Sequence, residues 1–152
     1  MRRGWLGFAA LGLLTLGIGG AVAAEKEGVY KERETLMKGF GKQMTIVKGV
    51  VAENKGTLTD AEAAAKEIAA RADHIPSVFP QGTNQGESEA LPVIWQQWDE
   101  FEAKARNMQS LAAKLASAAG SGDKQATLAA FGELGKNGCG GCHETFRKKK
   151  SS

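Results

Sequence analysis

The chain has 152 residues, enough for one domain with a modest core. It carries 20 Lys and Arg against 17 Asp and Glu. Arg2 and Arg3 belong to an N-terminal segment that we expect to be removed, which leaves 18 cationic and 17 acidic side chains. The basic balance of the whole chain is therefore no evidence for a nucleic-acid or membrane partner, and neither partner is predicted.

The N-terminus has the order of features that is typical of a secretory signal peptide. Arg2 and Arg3 precede an apolar run over residues 6–18, and small residues follow up to Ala24, before charged residues begin at Glu25. The alternative is a membrane anchor, but the run is short for spanning a bilayer and rich in Gly. We predict a signal peptide over residues 1–24 and a mature domain over residues 25–152.

Four helices are predicted from apolar residues that recur at steps of three and four. The first covers residues 29–53. Its inner stripe consists of Met37, Phe40, Met44, Val47 and Val51. Arg33 lies one turn before the start of this stripe, so we expect its charge at the edge of the buried face.

The second helix is predicted to begin at Thr59, which forms a capping box with Glu62. Its inner stripe consists of Ala61, Ala65, Ile68, Ala72 and Ile75. Pro76 and Pro80 end this helix, and residues 81–90 are expected to form a polar surface loop.

The third helix follows Pro92 and ends at the Gly-containing residues 118–122. Its inner stripe consists of Ile94, Trp98, Phe101, Ala105, Met108, Ala112 and Leu115. Asp123 then offers an N-cap for a fourth helix that runs to about Lys149, where the cationic residues 147–150 would cap the helix end. No segment shows the sustained alternation of a strand, so the pattern predicts an all-α fold, an antiparallel up-down-up-down four-helix bundle.

The fourth helix contains Cys139-Gly140-Gly141-Cys142-His143, which is a C-x-x-C-H pattern. Residues three and four apart share a helix face, so two thiols can reach the two vinyl groups of a porphyrin while the imidazole reaches its iron. The spacing predicts one haem c, covalently attached through thioethers at Cys139 and Cys142, with His143 as an axial iron ligand.

Three other uses of the two cysteines are open. A thioredoxin-like redox pair would follow a strand in a βαβ unit, and no strand is predicted. A zinc site needs four ligands, and His74 is the only other histidine. A disulfide would sit awkwardly within a helix. No constellation for catalysis is evident, so no enzymatic activity is predicted.

The mature chain resembles the cytochrome c′ family. The similarity is carried by Arg33 with Met37, Phe79-Pro80-Gln81-Gly82-Thr83, Leu91-Pro92-Val93-Ile94-Trp95, Phe101, Ala130-Phe131 and the segment from Cys139 to Arg147. The resemblance implies a periplasmic four-helix bundle with haem among its helices. It also implies a homodimer joined through the first two helices.

The resemblance implies roles for four residues. His143 is the proximal ligand, Arg147 lies against the proximal side of the haem, and Arg33 binds a haem propionate. The alternatives are a helix-end cation for Arg147 and a solvated helix charge for Arg33. Met37 occupies the distal position, where a thioether binds iron in six-coordinate members and a hydrophobic side chain, sometimes Met, blocks the site in five-coordinate members. Met44 lies about 10 Å further along the helix, so both cannot serve.

The distal ligand separates two predicted functions. Iron bound by both His143 and Met37 favours one-electron transfer with a redox partner protein, which is our first prediction. Five-coordinate iron favours the alternative, binding of NO or CO. A thiol–disulfide oxidoreductase is a third hypothesis, and it requires free cysteines.

Overall fold

The structure is a computed structural model that describes the backbone of residues 19–83 and 88–149, with side chains from residue 27 onward in those ranges. Most of the predicted signal peptide, residues 1–18, lies outside the described residues. The division into a signal peptide and a mature domain therefore stays a prediction.

The first helix, α1, spans Gly19–Glu53, so its predicted start at residue 29 is wrong. Residues 19–28 contain Ala, Glu and Lys, which are good helix formers, and no proline interrupts them. The helix therefore continues upstream of its amphipathic part.

The remaining elements are short or moderate in length. They are α2 (Leu58–Ala72), a 3₁₀ turn (Pro76–Val78), α3 (Val93–Gln96), α4 (Trp98–Gly120), α5 (Lys124–Glu133), a π-helix (Leu134–Gly140) and α6 (Gly141–Phe146). We refer to α5, the π-helix and α6 together as the last helical segment. The only β pairing in the described part of the chain is a single antiparallel bridge between Ala90 and Arg147.

The helices form a closed ring of neighbours. Helix α1 packs against α2, α2 against α4, α4 against α5, and α5 against α1. The short loops at residues 54–57 and 121–123 reverse the chain between consecutive helices, as in an up-down-up-down bundle. The predicted all-α, antiparallel four-helix bundle is confirmed.

The core lies mainly along α2 and α4, where the predicted stripes are confirmed. Ala61, Ala65, Ile68, Ala72 and Ile75 are all buried, and Ala64 joins them. On α4 the predicted stripe is buried from Phe101 to Leu115, whereas Trp98 is half-buried. Many of these side chains are Ala, which lets the two helices approach closely.

The stripe on α1 is only partly as predicted. Phe40, Val47 and Val51 are buried, while Met37 and Met44 are half-buried beside the core. Leu36 and Val50, which the stripe omitted, are also buried. The buried face of α1 is thus shifted by about one residue from the predicted one.

The capping box of α2 lies two residues before the predicted one. Thr57 is the N-cap, and its hydroxyl accepts a hydrogen bond from the Asp60 amide at 3.2 Å. The Asp60 carboxylate accepts one from the Thr57 amide at 2.7 Å. The predicted box of Thr59 with Glu62 is wrong because Thr59 already lies inside the helix, where its amide is not at an N-cap.

Two predicted helices are interrupted. The third breaks at Gln97, whose backbone leaves helical geometry at φ −121° and ψ 48°. Trp95 anchors the preceding turn, since its indole N–H donates to the carbonyls of Phe79 and Pro80 at 3.0 Å each. The fourth starts as predicted, with Asp123 capping the Ala126 amide at 2.9 Å, but it ends at Phe146 rather than near Lys149.

Among the described residues, none of the helices is both long enough and apolar enough to cross a membrane.

Candidate functional site

The C-x-x-C-H residues lie where the π-helix passes into α6. Cys139 is in the last turn of the π-helix, and Cys142 and His143 are in the first turn of α6. Both cysteines are half-buried and free, so the disulfide alternative does not describe this structure. The three side chains that the sequence predicted as the attachment set are therefore brought together on one short stretch of helix.

The π-helix brings this stretch close to α4. A Cβ on Gly138 would lie 2.8 Å from Cδ1 of Leu134 and 3.6 Å from the side chains of Leu111 and Met108. Leu134 is fully buried, so it cannot easily move aside. A side chain at position 138 would therefore force the Leu134 side chain to shift, which favours glycine there. Wider π turns of this kind occur often at functional sites.

The thiols are protonated at neutral pH. Burial raises the pKa of Cys139, and it raises the pKa of Cys142 to about 11. Cysteines of thiol–disulfide oxidoreductases have a lowered pKa, because the thiolate is the nucleophile. The environment of Cys142 therefore argues against the redox-pair alternative.

His143 is exposed at the surface, yet nearby protein atoms partly desolvate its imidazole. This desolvation lowers the pKa of His143, the positive charge of Arg147 lowers it further, and the negative charge of Glu89 opposes both. The neutral form, which has a free lone pair for iron, is therefore favoured.

Arg147 is the C-cap residue of α6, so it lies at the helix end as its alternative interpretation expected, but its backbone no longer follows the helix. Its backbone is extended, with φ −118° and ψ 141°. The guanidinium Nε donates to Oε2 of Glu89 at 2.6 Å, and Nη2 also contacts this oxygen. The backbone is extended because it pairs with Ala90 in the antiparallel bridge. Glu89 was not singled out in the sequence, because its partner is distant along the chain.

Arg33 is buried, with 6% of its surface exposed, rather than placed at the edge of the core. Its guanidinium donates to the Val78 carbonyl at 3.0 Å, to the Ser88 hydroxyl at 2.8 Å and to the Thr83 hydroxyl at 3.1 Å. It also lies 4.0 Å from the centre of the Phe79 ring. The solvated-charge alternative is therefore wrong. Arg33 fastens the chain after α2 onto α1.

Tyr30 lies beside Arg33 and was missed in the sequence. The Arg33 Cζ atom is 5.6 Å from the centre of the Tyr30 ring. The Tyr30 hydroxyl is buried without a hydrogen-bond partner in the described part of the chain. A buried hydroxyl without a partner costs about 1–3 kcal/mol, so it marks a place for an acceptor. The spacing of three residues between Tyr30 and Arg33 on one helix was the available signal.

The two methionines of α1 have different surroundings. Met37 is half-buried against the core, one turn after Arg33. Met44 is half-buried too, and its Cε lies 3.8 Å from the position of a Cβ on Gly135. Met44 therefore packs against the last helical segment.

An aromatic chain connects these parts of the site. The Phe79 ring, over which the Arg33 guanidinium lies, packs against Phe101 with 4.8 Å between ring centres. The ring centres of Phe101 and Phe146 are 5.4 Å apart. Phe146 lies three residues after His143 and is buried. Helix α6, which bears His143, is thus connected to Arg33 on α1 through these packed rings.

Comparison with known proteins identifies the family. The sequence model of the family described as Cytochrome C′ matches residues 28–147, which is most of the chain. The chain belongs to the cytochrome c′ family. A cytochrome c′ from Pararhodospirillum photometricum is 39% identical over 129 residues, covering 82% of this chain and 100% of that protein. A cytochrome c-554 from Cereibacter sphaeroides is 38% identical over 134 residues, covering 84% of this chain and 98% of that protein.

Solved structures of cytochromes c′ have the same fold. A nitric oxide complex of a cytochrome c prime variant from Alcaligenes xylosoxidans has a TM-score of 0.73 and 28% identity, covering 82% of this chain and 97% of that one. A cytochrome c′ described as having ligand-controlled dimer dissociation has a TM-score of 0.74 and 28% identity, with the same coverage.

As a member of the cytochrome c′ family, the protein carries one covalently attached haem c. The residues present fit this group. Two neutral, half-buried thiols stand at C-x-x-C-H spacing before an imidazole. The Tyr30 hydroxyl, which has no partner among the described residues, and the remaining N–H donors of Arg33 fit a propionate, because both can donate to a carboxylate.

Proposed function

We propose that this cytochrome c′ is a one-electron carrier whose haem iron is bound by His143 and Met37. When bound, the haem supplies an iron that changes between two oxidation states. The observation that carries the proposal is the position of Met37, half-buried on α1 one turn after the buried Arg33. Met44 is the less suitable ligand, because it already packs against Gly135.

The other residues of the site hold the group in place. Cys139 and Cys142 form the two thioether links, and His143 is the proximal ligand. Arg33 donates to a propionate while it keeps the chain after α2 in position. Arg147 lies against the proximal side.

Two occupied axial positions suit electron transfer. A thioether and an imidazole that stay bound in both oxidation states require little rearrangement when an electron arrives or leaves. The proposal does not include catalysis, since His74, the histidine other than His143, is exposed beyond the end of α2. An acid–base group for peroxide chemistry would have to stand at the distal side.

We also propose a periplasmic location and a homodimer joined through α1 and α2. The signal-peptide pattern of residues 1–24 supports the location. A groove of about 710 Å³ runs along α1 and α2. Its apolar part at Ile46, Val50, Ala63 and Ala64 supports the dimer, and charged side chains line the rest at Glu53, Lys55, Asp60 and Glu67. Ile46 is 37% exposed there.

The second candidate function is binding of NO or CO by five-coordinate iron. It is favoured by the similarity to nitric oxide complexes of cytochrome c prime from Alcaligenes xylosoxidans. In that case Met37 packs over the distal side, and a gas molecule has to displace it. The redox partner in the first proposal is a protein, whereas the partner in the second is the gas itself.

Matched variants of the two methionines test the proposal. Met37→Leu keeps the volume and removes the sulfur, and Met44→Leu makes the same change two turns away. We expect ferrous Met37→Leu protein to turn high-spin and to bind CO, whereas Met44→Leu protein keeps the wild-type spectrum. Identical spectra for wild type and Met37→Leu would contradict ligation by Met37.

A further inference from the structure

The end of α6 is clamped to the segment before α3 by backbone bonds. The Leu91 amide donates to the Phe146 carbonyl at 2.9 Å, and the Lys148 amide donates to the Glu89 carbonyl at 2.8 Å. We call residues 89–91 and 146–148 the C-terminal clamp. These two bonds fix where the backbone of Arg147 lies, whatever its side chain does.

The side chains of the clamp add a second, separate contact. Both Nε and Nη2 of Arg147 engage one oxygen of Glu89, with the Nε distance at 2.6 Å. The two side chains are 37% and 51% exposed. An ion pair this exposed adds little stability, and the backbone bonds already hold the segment. Its main effect is to favour one side-chain conformation of Arg147.

This conformation places the guanidinium next to the proximal ligand. Arg147 is four residues after His143, and the charges of Arg147 and Glu89 both act on the imidazole, in opposite directions. With Glu89 in place, the positive charge near the imidazole is partly compensated. Without Glu89, the guanidinium is free to turn away from the imidazole and to take its positive charge with it.

We propose that Glu89 is a positioning residue that holds the Arg147 guanidinium beside the proximal ligand and so sets the reduction potential of the haem. This inference rests on the proposed ligation by His143. Loss of a negative charge near the iron favours the reduced state, whereas release of Arg147 from its place beside the proximal ligand removes a positive charge and favours the oxidised state. Glu89 therefore acts partly by its own charge and partly through Arg147.

A double-mutant cycle on the holoprotein separates the two contributions. The variants are Glu89→Gln, Arg147→Gln and the double variant, with the reduction potential measured by spectroelectrochemistry. Glu89→Gln leaves both backbone bonds of the clamp in place. We expect it to raise the potential in the Arg147→Gln background, and to give a shift at most half as large in the presence of Arg147, because release of the guanidinium offsets the loss of the Glu89 charge.

Glu144→Gln is the matched control. Glu144 follows His143 directly and forms none of the ion pairs between described side chains, so its removal changes a nearby charge without releasing Arg147. We expect it to give the same shift in both backgrounds. Glu89→Asp, which keeps the charge, should restore most of the wild-type potential.

An equal Glu89→Gln shift with and without Arg147 would overturn the positioning role. Failure of the proposed ligation by His143 would give a different result. The wild-type protein itself would then lack the spectrum of a His-ligated haem c. Haem content, measured as the pyridine haemochrome of every variant, keeps the two failures apart.

Discussion

Helices α2 and α4 and the last helical segment are held in the bundle in different ways. Along α2 and α4, small and apolar residues at every turn are buried, from Ala61 to Ala72 and from Phe101 to Ala119. In α5, by contrast, Thr127 is the only buried residue, and Leu128 is 41% exposed. The last helical segment also changes from α to π geometry and back within 23 residues.

This difference separates the part of the bundle that supplies stability from the part that bears the haem-binding residues. The α2–α4 interface gains its stability from continuous burial of side chains. The last helical segment, which bears Cys139, Cys142 and His143, depends on a few contacts at Leu134, Gly138 and Phe146 and on the C-terminal clamp. Bound haem supplies further contacts to this segment.

Removing a haem link should therefore have the largest effect. We expect Cys142→Ala to abolish normal two-link attachment and to lower the free energy of unfolding by on the order of several kcal/mol, because a group that binds only the folded state stabilises it. The measurements are the pyridine haemochrome spectrum and thermal unfolding. Recovery of a stable holoprotein with ordinary spectra would show that the last helical segment does not need the link.

A substitution of Arg33 tests how α1 holds the chain that follows α2. Arg33→Met should lower the free energy of unfolding by about 3 kcal/mol, because it leaves buried acceptors at Val78 and Thr83 unpaired. Arg106→Met is the control, since Arg106 forms an exposed ion pair with Glu102 at 3.6 Å. It should change stability by less than about 0.5 kcal/mol. Equal effects in urea unfolding would mean that Arg33 is not anchored as described.

Two glycines of the last helical segment sharpen the comparison further. Gly138→Ala should destabilise by about 1–2 kcal/mol, because its Cβ would overlap the buried Leu134 side chain. Gly132→Ala meets no atom within 4 Å, so it should stabilise by about 0.5–1 kcal/mol through helix propensity. Thermal unfolding of the two holoproteins checks both signs. A stabilising Gly138→Ala would contradict the close approach to α4.

The smallest effect concerns the start of α2. Thr57→Ala should cost about 1 kcal/mol through loss of the N-cap, while Thr59→Ala should be close to neutral. The Thr57 hydrogen bonds lower the pKa of Asp60. The stability that Asp60 adds is therefore present above its unfolded pKa, about 4, and is lost as the pH falls through the lower folded value. The difference between wild type and Thr57→Ala in denaturant unfolding should accordingly shrink below about pH 4.

The sequence predicts the regular part of this protein well. Steps of three and four residues predicted the α2 and α4 stripes, because such periodicity directly reports which face is buried. They could not predict the breaks at Gln97 and at the π-helix, which depend on contacts with distant residues such as the bonds of Trp95 to Phe79 and Pro80.

The same limit applies to the site. The C-x-x-C-H pattern is local, so its three residues were predicted from spacing alone. The partners of Arg33 at Val78, Thr83 and Ser88, and that of Arg147 at Glu89, lie 45 to 58 residues away in the chain. Only the folded arrangement brings them together.

The central proposal is that Met37 and His143 both bind the iron, and one measurement tests it most directly. The absorption spectrum of the reduced wild-type holoprotein is recorded before and after addition of CO. The proposal predicts a low-spin spectrum that CO does not change. A high-spin spectrum that shifts when CO is added would contradict it and would favour gas binding.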